Sequence, residues 1–161
     1  MSGIFLDESI ILLDLEATTK EEVLTVMGKN LQESGLVEES FTKAIVARES
    51  AFATGLPTKG VSVAIPHTDV EHVKQKAISV AILKDPVGFG VMGDEETMTP
   101  VKIIFMLAMD RADDQLTLLQ SLMQIFQDEA TLNYLANEDN KANIKKLLAK
   151  KLDLSFEGGE V

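Results

Sequence analysis

Apolar and polar positions along this chain follow two different periods, and the switches between them divide it into strands and helices. Ile10 to Asp14 form a short apolar run that predicts a first strand. Thr19, followed three residues later by Glu22, is a capping box, a pattern that satisfies free backbone N–H groups where a helix begins. The helix it opens carries Val23, Val26, Met27 and Leu31 on one face, and Gly35 is placed to stop it. A second helix is expected from about Glu38, with Phe41, Ile45 and Phe52 directed inward and Arg48 and Glu49 near its end. The loop "ATGLPTKG" then leads into a strand from Val61 to Ile65. There Val61, Val63 and Ile65 alternate with the small Ser62 and Ala64, which predicts close packing on the second face too.

Ala77 to Leu83 and Val101 to Met109 read as further strands, the second nearly continuous in apolar character and therefore central. Leu116, Leu119, Leu122, Met123 and Phe126 mark an amphipathic helix. A shorter helix around Ala130 to Ala136 and a last one from Ala142 to about Lys151 follow. The ending "DLSFEGGEV" predicts a frayed tail, so one domain is expected over residues 1–152 and a flexible tail over 153–161. Strands alternating with helices predict an α/β domain, one sheet with helices on both faces.

Composition narrows the chemistry. The 161 residues, 45% hydrophobic and 25% charged, suffice for one globular domain with its own core. Cysteine is absent, which removes disulfides, thiolate nucleophiles and Cys-based zinc sites. The N-terminal stretch has no basic leader and no apolar run approaches the roughly 20 residues of a membrane span, so a cytoplasmic location is expected. Fifteen basic against 26 acidic residues give a formal charge of −11. That surface repels nucleic-acid phosphates, so no nucleic-acid partner is expected; it either favours a basic protein partner or simply keeps the chain in solution.

The segment "GVSVAIPHTD" carries the strongest chemical signal. Pro66 cannot donate to a ladder, so the strand ends there and His67 emerges at the sheet's C-terminal edge, where α/β sheets commonly place ligands. The residue before a proline is held extended, which fixes the direction in which the next side chain leaves. The other histidine, His72, lies among charged residues and reads as a solvated helix or loop position. A metal site is not expected, since Asp69 and Glu71 alone lie near His67. No Gly-rich loop with Lys and Ser/Thr exists to cradle a nucleotide, and the acidic residues of "GVMGDEE" oppose phosphate. No serine sits in a nucleophile-elbow pattern. Two readings of His67 remain: a packing residue, or a nucleophile, since neutral imidazole can carry a phosphoryl group.

The run "ARESAFATGLPTKGVSVAIPH" resembles the active-site region of the IIA domains of the bacterial sugar phosphotransferase system, in the fructose/mannitol structural class. The matching positions are Arg48 and Glu49, Thr54 and Gly55, and Ala64, Ile65, Pro66 and His67; the likeness extends over most of the chain. It implies a single mixed β-sheet with helices on both faces, no cofactor and no metal. It also implies that His67, through Nε2, accepts a phosphoryl group from the phosphocarrier HPr. By the same resemblance a cysteine of a IIB component would take the group next, ahead of the membrane permease IIC. Arg48 would then hold phosphoryl oxygens with its fork of donors. Thr54 would either donate its hydroxyl to the phosphoryl group or shape the turn, and Glu49 would anchor Arg48. A backbone carbonyl, rather than Asp69, is expected to hold Nδ1–H, because a nearby carboxylate would favour the protonated, non-nucleophilic ring.

One position departs from the family pattern. Gln115 stands where many relatives carry a second histidine; it either donates a weaker hydrogen bond to phosphate or is an ordinary first-turn residue. With the slightly longer loop before His67, this points to the galactitol-type branch. Leu56, Val87, Phe89 and Met92 are candidates for an apolar docking rim, or for core. The same resemblance leaves a second role open, that of a nitrogen-type regulatory domain that signals by protein binding.

Overall fold

The computed structural model describes residues 2–152 and 155–157. Its spine is a long antiparallel hairpin, β5 (Ala77–Val91) and β6 (Asp94–Ala108). Met92 and Gly93 turn the chain between them, with Gly93 at φ +79, a left-handed conformation that glycine adopts without steric cost. "GVMGDEE" is this turn.

On one side of the hairpin, β4 (Ser62–Ala64) runs parallel to β6, and β3 (Gly55–Leu56) pairs antiparallel with β4. On the other, β1 (Ser2–Phe5) and β2 (Ile11–Leu15) both run parallel to β5. The last strand, β7 (Ser155–Glu157), pairs with β1. The sheet is therefore mixed, with seven strands among the described residues. Part of the segment expected as a frayed tail is thus strand; residues 153–154 and 158–161 lie outside the described residues.

Among the described residues five α-helices cover the two faces. α1 (Lys20–Glu33) and α2 (Phe41–Ala51) pack on one side. α3 (Ala112–Ile125), α4 (Glu129–Asn137) and α5 (Lys141–Leu152) pack on the other. Alternation along the strands decides which residue meets which layer. Ile78, Val80, Ile103, Phe105 and Leu107 face α3 to α5, while Ala77, Ala81, Ile104 and Met106 face α1 and α2. In β4, Val63 joins the first set and Ala64 the second, as the alternation of small and large residues predicts. Phe105 is fully buried, its ring centroid 5.3 Å from that of Phe126 with the planes tilted by 44°; burying such a ring contributes roughly 1.5–3 kcal/mol.

Local signals explain the helix ends. Thr19 accepts the Glu22 N–H at 3.2 Å and caps α1. At the other end Gly35, at φ +77, lets its own N–H reach Gln32 and that of Leu36 reach Leu31, which closes a Schellman motif. On α1 and α3 three expected inward residues point out instead: Val26 is 42% exposed, and Leu116 and Met123 are 59% and 39% exposed. The buried stripe of α3 is Leu118, Leu122 and Ile125, a rotation of the expected face. Phe52, expected inward on α2, is 61% exposed. It is the residue that ends the helix, at φ −136 and ψ 95, so its ring no longer follows the helical face.

Candidate functional site

Beyond β4 the chain continues through Ile65 and Pro66 to His67. The Ile65 N–H donates to the Thr54 carbonyl at 3.3 Å, and the Leu107 N–H of β6 donates to the Pro66 carbonyl at 3.0 Å. His67 thereby makes an isolated parallel bridge to Leu107. The proline, which lacks an N–H, stops the regular ladder, yet its carbonyl still fastens the segment to the central strand.

The His67 ring is half-buried at this edge. Its Nδ1 lies 2.8 Å from the Ile65 carbonyl oxygen. A carbonyl can only accept, so Nδ1 carries the proton and Nε2 of the neutral ring keeps its lone pair. Burial holds the His67 pKa below its ordinary value, and the positive charge of Arg48 pushes it the same way; the bond to Ile65 opposes both. The neutral ring is favoured, and it is the form that can attack.

Arg48 lies on the last turn of α2, half-buried. Its guanidinium carbon sits 4.5 Å over the Phe52 ring centroid. Among the described residues no carboxylate forms an ion pair with it. The sequence reading missed Phe52 as a platform for Arg48, although their four-residue spacing on a helix was available as a signal.

Glu49 makes no ion pair with Arg48 among the described residues, so it is not the expected direct anchor. Its carboxylate is 2% exposed and spends both oxygens on Thr54: Oε2 accepts the Thr54 N–H and Oε1 the Thr54 hydroxyl, each at 2.7 Å. Desolvation raises the Glu49 pKa, and the two bonds from Thr54 work against that rise. Thr54, 3% exposed, has its hydroxyl proton committed to Glu49.

Gln115 lies in the first turn of α3, the helix that leaves the sheet edge after β6. Its Oε1 is buried without a hydrogen-bond partner among the described residues. The neighbouring Asp114 pairs with Lys76 at 3.4 Å and ties this turn to the start of β5. Asp69 flanks a short 3-10 turn and makes no hydrogen bond to His67 among the described residues. His72 sits in that turn, half-buried, with Nδ1 2.7 Å from the Ser40 hydroxyl, so it is a tethered loop residue rather than a freely solvated one.

Of the four rim candidates, Val87 and Phe89 are core, while Met92 is 39% exposed and Leu56 half-buried. A cleft of about 570 Å³ lies between Leu56–Lys59 and the end of α3, at Met123, Phe126 and Gln127. It includes none of the residues around His67. Its volume is within the range of ligand pockets, yet the His67 edge offers the more specific chemistry, a neutral imidazole under the charge of Arg48, which among the described residues forms no ion pair. No group of three or more potential metal ligands is found among the described residues.

Residues 4–151 match the family model described as "Phosphoenolpyruvate-dependent sugar phosphotransferase system, EIIA 2". The chain belongs to this family. It is a IIA component, a phosphotransferase that works through a phosphohistidine and serves a IIB component. The galactitol-specific EIIA component of Escherichia coli strain K12 is 30% identical over 122 residues, 76% of this chain and 77% of that protein. The IIA mannitol structure from Escherichia coli aligns with a TM-score of 0.70 at 28% identity, covering 89% of this chain and 99% of the other. The nitrogen regulatory protein IIA-Ntr of Neisseria meningitidis aligns with a TM-score of 0.72 at 27% identity, covering 89% and 96%. These IIA folds share the mixed sheet with helices that the resemblance implies. No helix among the described residues is long and apolar enough to cross a membrane.

Proposed function

We propose that His67 is the phosphoryl-accepting histidine of this IIA component and that Nε2 is its nucleophilic atom. The observation that carries the reading is the 2.8 Å bond from Nδ1–H to the Ile65 carbonyl, which leaves Nε2 as the unprotonated nitrogen. The donor is the phosphohistidine of HPr: its N–P bond breaks as Nε2 of His67 bonds to phosphorus, and the donor imidazole takes back the electron pair. In the second step the His67 N–P bond breaks as a cysteine thiolate of IIB bonds to phosphorus. Sugar then takes the group at the IIC permease.

Such transfers pass through a loose transition state, so the protein contributes placement and charge stabilisation. Arg48 meets the equatorial oxygens with its donor fork, and its charge also keeps the acceptor ring neutral beforehand. Gln115 supplies an amide hydrogen bond to phosphate without adding a cation. The likeness to the galactitol-specific component supports a galactitol-type polyol as the transported substrate.

The test is incubation with phosphoenolpyruvate, the general phosphotransfer enzyme and HPr, followed by transfer to purified IIB proteins of different specificity. Wild type takes an acid-labile label and His67→Ala takes none; equal labelling of the two removes His67 from the reaction. The likeness to IIA-Ntr supports a second reading, a regulatory domain phosphorylated at the same ring. Label that enters His67 and reaches no IIB protein of any specificity would favour that reading.

A further inference from the structure

Glu49 is a buried carboxylate that forms no ion pair among the described residues. Taking such a group out of water is costly, and a loop that only needed closing could be closed by a neutral side chain. What a carboxylate supplies is two coplanar acceptors, and Thr54 uses both. A glutamine could accept the Thr54 N–H but would donate to the Thr54 oxygen, exchanging a charge-assisted bond for a neutral one and releasing the hydroxyl proton; an apolar side chain would satisfy neither.

The pair stands at a junction. Arg48 immediately precedes Glu49, and its carbonyl accepts the Phe52 N–H at 2.7 Å. The Thr54 carbonyl accepts from Ile65 N–H at 3.3 Å, and the Ile65 carbonyl accepts from His67 Nδ1–H at 2.8 Å. Hydrogen bonds therefore run from Glu49 through Thr54 and Ile65 to the ring. Gly55, next to Thr54, pairs with Ala64 in β4, so the same loop end is also fixed to the strand that delivers His67.

We propose that Glu49 and Thr54 form a positioning clamp that sets the Arg48 guanidinium against the His67 ring and fixes that ring's tautomer. Neither residue touches phosphorus; both act through Ile65 and through the end of α2. The inference rests on His67 being the phosphoryl acceptor. It assigns the Thr54 hydroxyl to the clamp and away from the phosphoryl group, because its proton is already donated to Glu49.

The test compares full-length wild type with Thr54→Val, Thr54→Ser and Glu49→Gln. Three quantities are measured: single-turnover transfer from phosphorylated HPr at varied concentration, ring ¹⁵N spectra of His67, and the folded fraction from thermal unfolding. Thr54→Val and Glu49→Gln should lower the maximal transfer rate per folded molecule by about ten- to a hundredfold, the scale of an ångström's misplacement. The half-saturating HPr concentration should stay unchanged, and the spectrum should show a mixture of tautomers. Thr54→Ser, which keeps the hydroxyl, should recover the rate to within about threefold and restore the single Nδ1–H tautomer. Should Glu49→Gln not fold, the valine and serine pair decides, since valine matches threonine in shape and differs in the hydroxyl. Folded Thr54→Val with wild-type maximal rate and tautomer would overturn the clamp, as would a rate change explained wholly by half-saturation. Wild type that takes no label at all would overturn the functional reading itself, and the clamp with it.

Discussion

His67 donates from Nδ1 to the carbonyl of Ile65, two residues earlier in its own chain. The acceptor belongs to an Ile–Pro amide, whose proline nitrogen has no hydrogen to donate. One short sequence thus ends a strand, orients a ring and leaves Nε2 as the unprotonated nitrogen.

The pH dependence of phosphoryl acceptance follows from this environment. Burial and Arg48 lower the His67 pKa from its ordinary 6.5. The ring therefore stays neutral, and competent, as pH falls past 6.5, and the acid limb of the rate profile should have its midpoint below that value. The linkage has the same sign: stability contributed at His67 is present above the unfolded value and is lost as pH falls through the depressed folded one. Arg48→Gln removes one lowering cause, so the limb should move toward higher pH while the maximal rate drops. Rate profiles alongside an NMR titration of the ring check both. A wild-type midpoint above 6.5 would contradict the account.

Phe52 should matter through Arg48. The ring under the guanidinium is 61% exposed, where a cation–π contact contributes about 0.5–1 kcal/mol. Phe52→Leu should therefore cost little stability and slow transfer several-fold, whereas Phe52→Tyr should keep near wild-type rates. Arg48→Lys should lose more than Phe52→Leu, since an ammonium keeps the charge but gives up the planar fork. Single-turnover rates on the three variants test this order.

Much of this arrangement could be read from the sequence, and the parts that could not have physical reasons. Pro66 and His67 were legible because proline has one structural meaning at a strand end. The two faces of the sheet were legible because Val63 and Ala64 differ in size at alternate positions. The outer half of the hairpin was not: "KDPVGFG" and "DEETMT" break the apolar pattern, and cross-strand pairing, which a sequence window does not show, makes them strand. The partner of Glu49 was hidden for a similar reason. Its neighbour in sequence is a cation, and the natural guess was an ion pair; the extended turn at Phe52 instead brings Thr54 back onto the carboxylate. Two- and three-residue strands such as β3 and β7 carry too few positions for any period to register.

Gln115 offers a separation of stability from function. Its Oε1 is buried with no partner among the described residues, and an unsatisfied buried polar group costs about 1–3 kcal/mol. Gln115→Met, similar in length and without that penalty, should leave the melting temperature unchanged or raise it. The same variant should slow phosphoryl acceptance if the amide binds phosphate. Thermal unfolding and labelling kinetics on one protein preparation read both; a variant at least as stable that accepts phosphoryl at the wild-type rate would show that Gln115 is an ordinary helix residue.

The last prediction concerns Gly55, which holds the loop of the clamp to the sheet. A Cβ placed there would lie 2.5 Å from the Gly90 carbonyl oxygen and 3.2 Å from side-chain atoms of Phe89 and Thr99. Backbone cannot yield as a flexible side-chain tip can, so β3 would have to move away from β5, with which Gly55 pairs at Val91. Overpacking of this kind costs about 1–3 kcal/mol, so Gly55→Ala should lower the denaturation midpoint by a corresponding amount. Because Gly55 also pairs with Ala64 in the strand leading to His67, the shift should reach the ring, and transfer should slow beyond what the loss of folded protein explains. Gly88→Ala is the control: its added methyl would meet only the end of Met98, at 3.5 Å. That variant should keep both its midpoint and its transfer rate, and equal losses in the two variants would refute a specific coupling through β3.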